Sequence, residues 1–138
     1  MTSHLHNRRH IIQLLGASAA GAFGLHAHAQ KPITVGFIYV GPRDDYGYNQ
    51  AQAEAVAQIK KLGGLKVVEE ENVPETAAVQ KTMQGMIAQD GAALLFPTSF
   101  GYFDPHILAL APKNPDVRFA HCGGLWTEGK HPKNVGSF

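Results

Sequence analysis

Short apolar, β-branched runs alternate along this chain with stretches whose apolar positions recur every three or four residues, as buried strands alternate with amphipathic helices. The first run, Ile33 to Val40, passes through a turn carrying Gly41, Pro42 and Gly47 into a helix that begins near Tyr48. This helix puts Ala51, Ala55, Ile59 and Leu62 on one stripe and ends at Gly63-Gly64. Leu65, Val67 and Val68 form a second strand, and Glu69-Glu70-Glu71 at its end reads as a solvated rim or a cation-binding cluster. Val73-Pro74-Glu75-Thr76 opens a second helix, with Glu75 near the positive end of its dipole. Its buried face is Val79, Met83, Met86 and Ile87, and Gly91 closes it. Ala92 to Phe96, apolar throughout, is expected as a central strand covered on both faces. After the loop Pro97 to Gly101, Asp104 reads as an N-cap and Pro105 as the first residue of a short helix, His106 to Ala111, that stops at Pro112. Val117 to Cys122 gives a fourth strand, and Asn134 to Phe138 begins a fifth.

Strands and helices in this rhythm build right-handed βαβ units, so the expected fold is α/β, a doubly wound parallel sheet with strand order 2-1-3-4-5. Ligands of such sheets bind beyond the carboxyl ends of the strands, where the order reverses. The loops after strands one, three and four then converge, bringing Tyr48 and Asn49, Thr98 to Phe100, and Gly123 to Trp126 onto one face. The first of these turns also presents Asp44, Asp45 and Tyr46. An aromatic next to a carboxamide suits a flat ligand with polar edges, since the ring offers a stacking face and the amide one acceptor and two donors. Two carboxylates and the lack of a glycine-rich cradle disfavour phosphate, and no G-x-G-x-x-G follows strand one, so no cofactor is implied.

The amino-terminal stretch changes how the composition reads. Arg8-Arg9, a mildly apolar run from Ile11 to Leu25 and Ala27-His28-Ala29 form an export signal over residues 1–29, leaving one domain, 30–138. The run is shorter than the ~20 residues needed to span a bilayer. Paired arginines lean toward the twin-arginine route and leave the general secretory route open. Five of the eight histidines belong to the signal, so the histidine content is not a metal signature. Without Arg8 and Arg9, ten of the twelve basic residues remain against eleven acidic ones, with no basic run, which argues against nucleic-acid binding. Cys122 is the only cysteine, so no internal disulfide can form, and none near residue 29 suggests a lipid anchor.

Several residues invite catalytic readings. Asp44-Asp45 has the look of an acidic metal pair, but the further Asp that phosphoryl-accepting domains place at the end of strand three is replaced by Pro97 and Thr98. Around Ser99, P-T-S-F-G is similar to a nucleophile elbow without its first glycine or an assignable acid and histidine. His121 and Cys122 are strand neighbours and point to opposite faces, so a buried structural cysteine is expected rather than a thiol pair. Trp126 belongs to no stripe, which leaves ligand contact and packing of the lobe both open.

Taken together, I-T-V-G-F-I-Y-V-G-P, D-D-Y-G-Y-N-Q, P-D-V-R-F at Pro115 to Phe119 and P-K-N-V at Pro132 to Val135 make Lys31 to Phe138 resemble the amino-terminal lobe of the basic membrane protein family. These are type I periplasmic binding proteins of ATP-driven importers and include purine nucleoside receptors. The resemblance implies a non-enzymatic periplasmic receptor that binds a purine nucleoside or related heterocycle and passes it to a membrane permease with its ATPase. It implies that Tyr48 stacks on the base, that Asn49 is the neighbouring polar contact, and that Asp45 is the acidic position of the same turn. Many nucleoside receptors of the family carry aspartate at the position of Tyr39 and serine at that of Gly47, whereas another subset shares the V-G-P and glycine-aromatic pair found here. With the converging loops, the expected ligand contacts are Asp45, Tyr48, Asn49, Ser99, Phe100, Gly123, Gly124 and Trp126, with no metal and no catalytic group. The alternative is a hydrolase-like α/β enzyme using Ser99 or Asp44 and Asp45. The sequence stops within the expected fifth strand, so it reads as a truncated first lobe that would bind weakly by itself.

Overall fold

The computed structural model describes residues 31–138; the expected export signal lies outside them. Five strands, β1 (Ile33–Ile38), β2 (Leu65–Glu70), β3 (Ala92–Pro97), β4 (Arg118–His121) and β5 (Val135–Ser137), form one sheet in the order β2-β1-β3-β4-β5, with every pair parallel. This is the doubly wound order read from the sequence. Helix α1 (Tyr48–Ile59) joins β1 to β2, and α2 (Ala77–Ala88) joins β2 to β3. The chain moves outward from β1 to β2 and then crosses back to β3, so the order reverses between β1 and β3.

Alternate residues of β1 feed two cores. On one face Val35, Phe37 and Tyr39 pack with Val56 of α1, and Phe37 stacks on Phe96 with ring centroids 4.8 Å apart. On the other, Ile38 and Leu95 join Val79, Met83 and Met86 of α2 and the buried residues of the β3–β4 connection. Gly36 lets α2 come this close: a Cβ there would stand 2.5 Å from Leu95 Cδ2 and 2.7 Å from Met86 Sδ.

Four expectations need correction. Helix α1 buries Asn49 and Val56, whereas Ala51 and Ala55 are exposed and Leu62 lies beyond the helix end. The alanine stripe was misleading because the larger Val56 decides which side meets the sheet. β3 is sealed on the α2 face only; Leu94 and Phe96 on the other face are half-buried and Ala93 is exposed. The third helical segment carries a turn that was not expected, starting at Phe100, and runs to Lys113 as short 3-10, π and α turns. A kink at Asp104, extended at φ −121° and ψ 122°, divides it, so the helical turns restart at Pro105 where the Asp104-Pro105 pair had placed them. Pro112 falls in its last turn, where the missing N–H is tolerated. Finally, Glu69 is no solvated rim. Its side chain is 9% exposed, accepts from the Tyr39 hydroxyl at 2.9 Å, and is paired with Lys60 and Arg43. Burial pushes the Glu69 carboxyl up, but hydrogen bonds from Lys60 and Tyr39 outweigh it and leave the pKa lowered. Arg43 also binds Glu71 at 2.9 Å, so cations of the chain itself occupy this acidic cluster.

Candidate functional site

At the carboxyl edge of β1 the backbone must turn into α1 with its first amides unpartnered. Asp45 supplies those partners. Its Oδ1 accepts from the amides of Gly47 at 2.9 Å and Gln50 at 3.0 Å, and its Oδ2 from the Asn49 amide at 3.2 Å and side-chain Nδ2 at 2.8 Å. The Gln50 amide, then the Asn49 side chain and the Gly47 amide, hold its pKa at about 2 against the opposing effect of burial. Asp45, expected to touch the ligand, is bonded to Gly47, Asn49 and Gln50 at the start of α1. The same commitment of both oxygens to N–H donors removes it from the proposed metal pair with Asp44.

Asn49 is 6% exposed, and with Nδ2 on Asp45 its Oδ1 has no hydrogen-bond partner among the described residues. A buried acceptor left unmatched costs about 1–3 kcal/mol, so such a group marks a place where a partner is missing. Tyr48, the first residue of α1, is 41% exposed, and its hydroxyl donates to the Thr98 carbonyl at 2.7 Å. Thr98 follows β3, and its N and Oγ1 both donate to the Ile38 carbonyl, at 3.0 and 2.9 Å. The Tyr48 ring therefore spans the point between β1 and β3 where the strand order reverses. Burial first, and then the neighbouring Cys122 thiol, push the Tyr48 phenol up to about 12. Cys122, expected as a buried structural residue, is half-buried beside this hydroxyl.

The loop after β3 serves a different purpose from the one expected of it. Ser99 is 8% exposed and donates its hydroxyl to Glu75, which also accepts from the Gly101 amide at 2.9 Å. His121 is fully buried and meets Ser99 at the backbone carbonyl, 2.7 Å from Nε2, not at the hydroxyl. The hydroxyl is therefore on Glu75, whose pKa the Ser99 and Gly101 bonds lower, and not on the imidazole, so the expected elbow has no Ser–His pair. Since a carbonyl only accepts, His121 Nε2 carries the proton; its Nδ1 is a buried acceptor without a partner among the described residues. Burial lowers the His121 pKa, with the Ser99 bond opposing.

Phe100, Gly123 and Gly124 do converge. With Phe103, Leu125 and His131 they line a cleft of about 310 Å³, and Phe100 is 68% exposed at its rim. At Gly124 a Cβ would lie 2.6 Å from Phe103 and 3.0 Å from His121 Nδ1, so a side chain there would close the floor of this cleft. Trp126 is not part of it. The indole packs against the larger core and donates to the Pro132 carbonyl at 3.3 Å, contacts that belong to the packing of the lobe. The partners by which Thr98, Glu75 and His121 shape this edge were not foreseen. No local pattern announces them, because each acts on a partner more than twenty residues away.

Residues 33–138 match the family described as ABC transporter substrate-binding protein PnrA-like. Over 114 residues the chain is 40% identical to a purine-binding protein of Brucella abortus (strain 2308), a match covering 80% of this chain and 32% of that protein. Among solved structures, it is similar to an ABC transporter system solute-binding protein from Conexibacter woesei DSM 14684, with a TM-score of 0.63 and 25% identity over 76% of this chain and 34% of that one. A solute-binding protein of Aeropyrum pernix K1 gives a TM-score of 0.60 at 24% identity over 77% of this chain and 28% of that one, a likeness of fold. The chain thus spans about a third of the length of these relatives.

Proposed function

This chain belongs to the PnrA-like family of ABC transporter substrate-binding proteins, and from that premise we propose that it captures a purine base or nucleoside without transforming it. The reading rests above all on one observation: beside the half-exposed ring of Tyr48, at the reversal point of the sheet, Asn49 holds a buried oxygen with no partner. A purine answers both features, with a flat face for the ring and edge N–H groups for the acceptor. The purine-binding relative supports the same ligand class. Phe100, Gly123 and Gly124 extend the recognition surface along the edge of the sheet, while Asp45 and Ser99 shape it from behind.

In this role the protein is exported to the periplasm by residues 1–29 and presents its ligand to a membrane permease driven by an ATPase. Titration calorimetry with adenine, guanine, hypoxanthine and their nucleosides tests the ligand class. Saturable binding of at least one, with the compound recovered unchanged, is expected. Silence with all six would refute the purine assignment, and consumption of any of them would overturn the non-enzymatic role.

A further inference from the structure

The polar end of Tyr48 is committed within the chain itself. Its hydroxyl reaches back to the Thr98 carbonyl, and that residue is anchored twice to Ile38. The backbone end is equally fixed, since Asp45 gathers the amides of Gly47, Asn49 and Gln50 around it. A side chain tied at both ends keeps little torsional freedom, and Tyr48 is still 41% exposed. We infer that the Tyr48 hydroxyl is a positioning group that clamps the ring across the reversal point before any ligand arrives, and that it makes no bond to the ligand. This deepens the reading of Tyr48 as the wall of the site and depends on it.

Two consequences separate a clamp from a contact. Freezing one side-chain rotamer in advance is worth about threefold to tenfold in affinity. Because the hydroxyl touches no ligand atom, that loss should be the same for every flat base the site accepts. The experiment compares the full chain with Tyr48→Phe, titrating purine, adenine, hypoxanthine and guanine by calorimetry. We expect a uniform weakening of about threefold to tenfold. Unchanged affinities, or a loss confined to bases with an acceptor at one ring position, would overturn the clamp. Tyr48→Ala binding as wild type would instead remove the ring from the site and with it the placement given above.

A second readout needs no ligand. With labelled tyrosine, the three-bond couplings of Tyr48 in the free protein should report a single χ1 rotamer. Rotamer averaging in the free protein overturns the proposal even if purines bind, and a single rotamer supports it even if they do not.

Discussion

The turn into α1 and the loop after β3 both end at the carboxyl edge of the sheet, yet they are held by opposite means. From Asp45 to Gln50 the hydrogen bonds close within five residues: Asp45 to Gly47, Asn49 and Gln50, and the Tyr46 amide to Gln50 Oε1 at 3.1 Å. One bond, Tyr48 to Thr98, leaves the turn. Residues 98–113 have their side-chain partners far away, Ser99 on Glu75, Tyr102 on the Val73 carbonyl, His106 on Gln80, and Ala111 on Asn134. The first region is a local device that needs little from the rest of the lobe. The second is a junction where β2–α2, β4 and β5 are stitched together, so damage there should spread.

The largest effect is expected where that stitching is densest. Asn134 is 8% exposed, and its Nδ2 lies 2.9 Å from the Ala111 carbonyl, 3.0 Å from that of Asn114 and 2.9 Å from that of Val117. An amide has two protons, so two of the three carbonyls are served at any instant. Asn134→Ala strands them and should cost about 2–3 kcal/mol, read as a lower urea midpoint at unchanged slope. A loss below about 0.5 kcal/mol would show that the junction is not held from β5. Tyr102→Phe comes next. It removes the buried bond to Val73 and should cost about 1–2 kcal/mol in the same assay.

The same contrast explains what the sequence disclosed. Glycines, periodicity and β-branched runs mark β1 to β5 and α2 because those signals act within a few residues, and the parallel order follows from connection rules. The tight turn from Asp45 to Asn49 was legible for the same reason, although its internal bonding was not: capping and binding select the same small polar residues. The extra turn at Phe100 was not legible: long-range ties from Glu75 and Val73 to Ser99, Gly101 and Tyr102 hold it, whereas the restart after Asp104 follows a local signal. Trp126 and Glu69 likewise depend on partners that only the fold brings near, Pro132 and the core for one, Tyr39 and Lys60 for the other.

A smaller effect, in pH, separates the regions again. His121 lies buried beneath the junction with its pKa depressed by burial, so the unfolded chain takes up a proton more readily than the folded one. Its contribution is fully present above the ordinary histidine value of about 6.5 and declines as pH falls below it. The urea midpoint should therefore drop from pH 7 toward pH 5, and His121→Gln should flatten that drop. A wild-type midpoint independent of pH over this range would mean that His121 charges freely in the fold.

The smallest change in stability, and the sharpest test of the local turn, is Asp45→Asn. The aspartate accepts from backbone amides and from Asn49 Nδ2, which leaves Asn49 Oδ1 as the open group. Its pKa of about 2 lies below the unfolded carboxylate value near 3.9, so its stabilising effect is complete above that value and is lost as pH falls through about 2. Asparagine keeps one oxygen for the α1 amides but can turn its own NH₂ toward Asn49. The Asn49 amide would then rotate to accept from it, leaving Nδ2 as the open group where an oxygen stood before. The urea midpoint should barely move, because a neutral cap replaces a charged one on an exposed helix start. Purine affinity should fall, most for bases that offer an N–H to Asn49 and least for those that offer a ring nitrogen. Calorimetry on adenine, hypoxanthine and unsubstituted purine reads this order directly. An equal loss for all three would mean that Asp45 acts only through the position of α1, whereas a large drop in stability would erase the distinction between the local turn and the long-range junction.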